Sequence, residues 1–198
     1  MRRSGQAVEW SSVLIVGVLA LVGVAAGHSL VAQEGAAEMP ESGFRADYLM
    51  DLARLEQKVV GLAEAVPADK YDWRPAAGVR SVSEVYMHLA GSTFQILQGV
   101  GRPAPDNAGE LEKITDKVEV IETLKGAFAA AKEAMLAASD DGMDENVEFF
   151  GRQWSKRAVF YLTATHIHEH LGQSIAYARS IGVVPPWSAP KPDAGEGG

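Results

Sequence analysis

The chain has 198 residues, a formal net charge of −8 and no cysteine. This negative charge argues against a broad nucleic-acid-binding surface. The absence of cysteine excludes disulfides, iron–sulfur clusters and thiolate zinc sites. Apolar residues make up 47% of the chain, which indicates one globular domain of ordinary size.

The N-terminal segment, residues 1–32, has the composition of a secretory signal peptide. Two arginines precede an apolar run at residues 13–26, and the small residues after it allow cleavage after Gly27 or after Ala32. The run is shorter than the about 20 residues of a membrane span. Alternatively, the segment is not cleaved and anchors the protein, and only in that case do we expect the protein to contact a membrane. We therefore expect an exported protein, periplasmic or extracellular, with a linker at residues 33–42.

Two amphipathic helices are predicted next. The first covers residues 44–66, where apolar side chains recur at spacings of three and four, and Pro67 ends it. The second covers residues 81–99. Its start is indicated by Ser81 and Glu84, which have the spacing of a capping box.

Two further helices are predicted beyond a long loop at residues 99–116. The third helix covers residues 117–139, and the fourth runs from residue 154 or 155 to residue 180. Residues 140–152, between them, show no convincing strand pattern and are predicted to be a loop. Gly182 is the expected C-terminal cap of the fourth helix.

The expected fold class is all-α. Four amphipathic helices with two long connections predict a four-helix bundle over residues 43–187. The Pro- and Gly-rich residues 188–198 are expected to form a disordered tail.

The inward side of the fourth helix is unusually polar. After two apolar positions, its stripe continues with His166, His170, Gln173 and Tyr177. Unpaired buried polar groups cost about 1–3 kcal/mol each, so several in succession require partners or a ligand. His88 occupies a comparable inward position on the second helix. His88, His166 and His170 are therefore the predicted ligands of one divalent metal ion.

Other interpretations of these residues remain open. His88 alone is typical of a hydrogen-bonded core histidine, and the pair on the fourth helix is also compatible with a solvated helix end. His168 points to the opposite side and is not predicted to be a ligand. Glu169, Gln173 and Tyr177 are candidates to orient a substrate. For Glu169 the alternatives are an acceptor that orients a histidine and a solvated acid.

One protease motif is present by coincidence. His166, Glu169 and His170 match the His-x-x-Glu-His pattern of inverted zinc proteases. Those enzymes need a further acidic ligand well downstream. Only 28 residues follow His170, mainly the helix end and the tail, so a protease is not expected.

The sequence resembles the DinB-like superfamily. Four parts of the sequence carry the resemblance. They are the turn before the second helix at residues 71–82, the first histidine His88, the fourth-helix signature His166-x-x-x-His170-x-Gly172-Gln173, and the segment after that helix at residues 178–187. The resemblance implies a four-helix bundle with a metal, commonly nickel or zinc, held by histidines of helices two and four. It also implies a possible homodimer. Leu171 replaces an arginine often found there.

The expected chemistry follows from the ligand set. Three neutral imidazoles leave a tetrahedral ion one open position, as in catalytic zinc sites. Such an ion activates water or a thiol, and some members of the family use low-molecular-weight thiols. We therefore expect a metal-dependent hydrolase or thiol-dependent transferase with an unknown small-molecule substrate. The alternative is a noncatalytic exported metal-binding or interaction protein. Arg74 and Arg80 are expected either to contact an anionic substrate or to stabilise the turn.

Overall fold

The computed structural model describes residues 39–190. It contains four long helices, which are α1 (Gly43–Ala65), α2 (Val82–Leu97), α3 (Lys117–Ala137) and α4 (Lys156–Ser180). Helices α1 and α2 each pack against both α3 and α4. This arrangement confirms the predicted all-α fold class and the four-helix bundle. The predicted signal segment, most of the linker and residues 191–198 of the predicted tail lie outside the described residues.

The helix ends follow the local sequence signals. The Ser81 hydroxyl accepts a hydrogen bond from the Glu84 backbone N–H, and the Glu84 carboxylate accepts one from the Ser81 N–H, which confirms the capping box at the start of α2. Gly182, just after α4, has a φ of +80°. Glycine adopts this left-handed conformation without a steric penalty, so the chain turns away from the helix there.

The core takes side chains from all four helices. Leu55, Leu89, Leu124 and Phe160, one from each helix, are at most 1% exposed. Their burial is the main stabilising contribution to the bundle, because apolar area is removed from water on every helix. It also holds α2 and α4 side by side, and these are the two helices that carry the predicted metal ligands.

Two helix C-termini are capped by basic side chains from neighbouring helices. Neither α1 nor α3 has a basic residue in its own last turn. The Lys117 ammonium donates to the backbone carbonyls of Glu64 and Val66 at 2.7 Å, at the end of α1. The Arg45 guanidinium donates to two carbonyls at the end of α3, each at 3.3 Å. Both cations therefore donate hydrogen bonds to carbonyls at the C-terminal ends of the helices, where the helix dipoles are negative.

The prediction that residues 140–152 form a loop without strands was wrong. Strands β1 (Asn146–Phe149) and β2 (Arg152–Ser155) pair antiparallel in a hairpin. Its two-residue turn places Phe150 at a φ of 49° and Gly151 at 71°. A non-glycine residue in this conformation costs about 1–2 kcal/mol, and such turns prefer asparagine before the glycine. Four-residue strands are also too short for a clear alternation.

Tertiary contacts hold the hairpin in place. The Phe149 side chain packs with Ile96 and Val159 in a small apolar cluster. A Cβ atom at Gly99 would lie 3.0 Å from the Phe149 ring. The glycine is therefore needed for the close approach of the ring to the end of α2, and this docking offsets the strain of the turn.

The connection from α2 to α3 contains two short 3₁₀ helices within the predicted loop, Gln98–Val100 and Ala108–Lys113. The second packs against α2 on the side of His88. Among residues 39–190, no helix combines the length and the apolar character needed to cross a bilayer.

Candidate metal centre

Three histidines from two helices converge between α2 and α4. His88 lies on α2, and His166 and His170 lie one helical turn apart on α4. One nitrogen from each of the three imidazoles lies within 4.8 Å of the others. The ring centroids are 4.5–5.4 Å apart. The structure therefore brings together the three residues that helical spacing selected as ligands.

A chain of hydrogen bonds orients the His170 imidazole. Its Nδ1 lies 2.8 Å from Gln173 Oε1, an acceptor, so Nδ1 carries the proton and donates. Gln173 Nε2 donates to the Tyr177 hydroxyl at 3.2 Å, and that hydroxyl donates to the Arg80 backbone carbonyl at 3.0 Å. Nε2 of His170 is left unprotonated, with its lone pair available to a metal.

The other two imidazoles have few partners in the protein. His166 Nε2 is buried and has no hydrogen-bond partner among the described residues. The Ser92 hydroxyl lies 3.5 Å from both ring nitrogens of His88, at the outer limit of a hydrogen bond. A buried, unpaired ring nitrogen is costly unless something else binds it, and a metal ion would do so.

The surroundings keep two of the imidazoles neutral. Burial lowers the pKa of His88 to about 4, and the positive charge of Arg80 and the other two imidazoles act in the same direction. Burial also lowers the pKa of His166, with a contribution from His170. A histidine must be neutral to bind a metal, so both groups are in the required state at neutral pH.

The donor set fits a divalent transition metal. Three imidazoles suit zinc, nickel, copper and iron, whereas calcium and magnesium prefer oxygen ligands. Nitrogens around a tetrahedral zinc ion are about 3.4 Å apart for bonds of about 2.0–2.1 Å. The present separation of up to 4.8 Å is larger, and small rotations of the rings would close it.

Three other residues of this part of α4 lie away from the centre. His168 Nε2 lies 2.9 Å from a carboxylate oxygen of Asp51 on α1. Glu169 is exposed, and its side chain makes no hydrogen bond within residues 39–190. Gly172 is exposed, and a Cβ atom built there has no neighbour within 4 Å, so none of the described helices packs closely against it.

The two arginines before α2 differ in their surroundings. Arg74 donates to the Val79 carbonyl at 2.8 Å and to Glu84 at 2.9 Å, so it stabilises the turn and the cap. Arg80 lies 3.5 Å from Glu112, whose carboxylate is 3.9 Å from His88 Nδ1. Sequence reasoning missed Glu112, which comes from the connection between α2 and α3, and no motif marked it.

A cavity of about 410 Å³ opens beside His88. Helix α2 forms one wall, and the connection from α2 to α3 forms the other. Ser92, Gln95, Gln98 and Glu112 line it together with small and apolar side chains. Glu112 is the only acidic residue among the cavity's lining residues, and it lies next to a metal ligand. The arrangement offers a bound small molecule access to one edge of the metal centre.

Comparisons with known proteins identify the family and the fold. A family model described as the DinB superfamily matches residues 51–174, which include all three histidines. The uncharacterized protein YjoA of Bacillus subtilis (strain 168) is 27% identical over 124 residues, which cover 61% of this chain and 80% of that protein.

Two solved structures have the same fold. A DinB-like protein from Bacillus cereus ATCC 10987 matches with a TM-score of 0.60 and 18% identity, over 70% of this chain and 93% of that one. The DinB-like protein YjoA from Bacillus subtilis matches with a TM-score of 0.57 and 19% identity, over the same shares.

Proposed function

This chain belongs to the DinB superfamily, and on that premise we propose that it is a metalloenzyme whose single divalent ion is bound by His88, His166 and His170. The buried Nε2 of His166, without a hydrogen-bond partner among the described residues, is the observation that carries the proposal. This nitrogen belongs to a ring whose centroid is 4.5 Å from that of His170 and 5.4 Å from that of His88. Zinc or nickel is the proposed ion.

When bound, a divalent ion at such a site lowers the pKa of water or of a thiol and polarises a carbonyl, which suits hydrolysis or group transfer. The protein supplies the orientation. Gln173 fixes the His170 ring through Nδ1, and Tyr177 fixes Gln173. The Glu112 carboxylate, 3.9 Å from His88 Nδ1 and open to the cavity, is placed to accept a proton from a bound substrate.

We also propose that the protein is exported. The two arginines and the apolar run at residues 13–26 support this, together with the small residues that follow. N-terminal sequencing of the protein recovered from fractionated cells tests the proposal. A mature chain in the periplasm or medium that starts after Gly27 or Ala32 would support export. A cytoplasmic chain that begins at Met1 would contradict it.

Metal content tests the ligand set. The purified full chain should bind one divalent ion per molecule, as measured by elemental analysis after gel filtration. The substitutions His88→Ala, His166→Ala and His170→Ala should each weaken metal binding. His168→Ala is the matched control, because its imidazole lies on the same helix but pairs with Asp51. Equal metal binding by His88→Ala and the unmodified chain would contradict the three-histidine site.

Activity decides between the enzyme and its noncatalytic alternative. The metal-loaded protein should be screened against ester and amide substrates and against thiols paired with electrophiles. Turnover that is lost with a chelator and in His170→Ala supports the enzyme. Glu112→Gln should bind the metal normally and turn over more slowly. Intact metal binding without turnover in any of these reactions would favour a noncatalytic metal-binding protein.

A further inference from the structure

The cavity beside His88 continues toward the hairpin. A second cavity of about 390 Å³ lies between the end of α2 and the hairpin turn, and Phe150 lines it. Gln95 and Gln98 line both cavities. Because the same two side chains belong to both, the cavities adjoin along α2, and together they are called the groove, which extends from His88 to Phe150.

The groove has room for an extended molecule. Ten residues of α2 and its extension separate His88 from Gln98, which corresponds to roughly 15 Å along the helix axis. An extended chain covers about 3.3–3.6 Å per residue, so about four residues span this distance. A ligand whose reacting group lies at His88 would therefore reach the hairpin with its other end.

The polar groups of the groove suit a ligand without negative charge. Gln95 and Gln98 are exposed, and within residues 39–190 their side-chain amides have no hydrogen-bond partner. Each amide offers both donors and an acceptor, as an amide-containing ligand requires. The charged lining residues are Glu112 at the histidine end and Glu148 at the hairpin end, and neither cavity is lined by lysine or arginine. Arg80, 3.5 Å from Glu112, offsets the negative charge at the histidine end. Glu148 has no such ion pair within residues 39–190, so a carboxylate at the hairpin end would be repelled.

The hairpin end offers an aromatic surface. Phe150 is 60% exposed, and its ring centroid lies 4.0 Å from that of Phe149. Phe149 is in turn held against Gly99. The left-handed turn at Phe150 therefore presents an aromatic ring on a supported surface, where an apolar group of a ligand can be buried.

We propose that this groove binds an extended, uncharged, amide-containing substrate whose apolar end contacts Phe150. Gln95 and Gln98 bind the amide groups in the middle. The position of the reacting end beside His88 rests on the proposed metal function, but the binding of the remainder does not. Glu148 selects against substrates that carry a carboxylate at the end that contacts Phe150.

Two matched compounds, titrated into the metal-free protein, test the groove by itself. Benzyloxycarbonyl-glycyl-glycinamide is uncharged and ends in a phenyl ring, whereas succinyl-glycyl-glycinamide carries a carboxylate at that end. Calorimetric titration of the full chain should give at least about tenfold tighter binding of the phenyl compound, because it buries a ring and places no carboxylate beside Glu148.

Variants then locate the contacts. Phe150→Asn removes the ring and introduces a residue that tolerates the left-handed turn. It should weaken binding of the phenyl compound by about tenfold. Gln98→Ala should weaken it by about fivefold. Tyr161→Ala, another exposed aromatic, and Gln57→Ala on α1 are the controls and should bind as the unmodified chain does. Equal binding of the two compounds, or no loss in Phe150→Asn and Gln98→Ala, would overturn the proposal.

The corresponding hydroxamate separates this proposal from the metal site. Its metal-binding head group should add affinity that disappears with a chelator or in His166→Ala. If the amide binds in the groove but the hydroxamate gains nothing, the metal site fails and the groove stands. If the hydroxamate binds only through its head group, without sensitivity to Phe150→Asn, the groove fails and the metal site stands.

Discussion

Gln173 Oε1 lies 2.8 Å from His170 Nδ1, less than one helical turn further along α4. This hydrogen bond selects the tautomer of His170 in which Nε2 carries the lone pair. The same glutamine donates to the Tyr177 hydroxyl, so a 180° flip of its amide would break that hydrogen bond as well. The glutamine thus acts on the metal centre through the ligand that it orients.

Gln173→Leu should lower metal affinity by about 10–100-fold, the usual loss when the partner of a metal-binding histidine is removed. Competition with a chromophoric chelator measures the effect. His168→Gln is the matched control, because its imidazole lies on the same helix but pairs with Asp51. An unchanged affinity in Gln173→Leu would show that the hydrogen bond does not contribute to binding.

Arg45→Met should lower the free energy of unfolding by about 1–3 kcal/mol, since the cation caps two carbonyls at the end of α3. The Arg45 side chain is only 13% exposed, so water replaces these bonds poorly. Urea unfolding measures the change. Lys125→Met, which removes a mostly exposed ion pair with Glu122, should change stability by less than about 0.5 kcal/mol. Equal effects of the two substitutions would contradict the capping role.

The metal-free protein should lose stability as the pH falls from about 6.5 to about 4. The pKa of His88 is about 4 in the folded protein, below the ordinary value of 6.5. Between these values the unfolded chain binds more protons than the folded one, so acid favours unfolding. The lowered pKa of His166 acts in the same direction. The contribution of His166 to this loss of stability begins as the pH falls below 6.5, the ordinary pKa of histidine.

Urea unfolding at several pH values between 7.5 and 4.5 checks this dependence. His88→Gln should show a weaker decline than the unmodified chain, because one of the two titrating groups is absent. The lowered pKa of Glu84 contributes little in this range, because its effect grows only as the pH falls below its ordinary value of 4.5. A decline of the same size in His88→Gln would show that other groups cause it.

Two glycine substitutions should have opposite effects. Gly99→Ala places a methyl group 3.0 Å from the Phe149 ring, and the resulting strain should cost about 1–3 kcal/mol. Gly172→Ala, inside α4 with no atom within 4 Å of the new Cβ, should stabilise the protein by about 0.5–1 kcal/mol. Thermal unfolding of the metal-free variants measures both. A destabilised Gly172→Ala would indicate a contact absent from this structure.

Helical periodicity predicted the bundle and the grouping of the histidines because both depend on spacing within single helices. His166 and His170 are four residues apart, and His88 occupies an inward position on the adjacent helix. Gln173 followed from the same spacing. Glu112 did not, because only the fold of an irregular connection brings it to His88. The hairpin was missed for a similar reason, since its four-residue strands depend on the contact between Phe149 and Gly99.

The Tyr177 hydroxyl connects Gln173 to the Arg80 carbonyl, so its removal tests whether the chain of hydrogen bonds acts as a unit. Tyr177→Phe leaves the Gln173 amide without its acceptor and should lower metal affinity less than Gln173→Leu does. If Tyr177 acts only through Gln173, the double substitution should bind the metal as Gln173→Leu alone does. Chelator competition on the four proteins measures this cycle. Losses that add in full would instead mean that Tyr177 affects the site by another route, such as the position of Arg80.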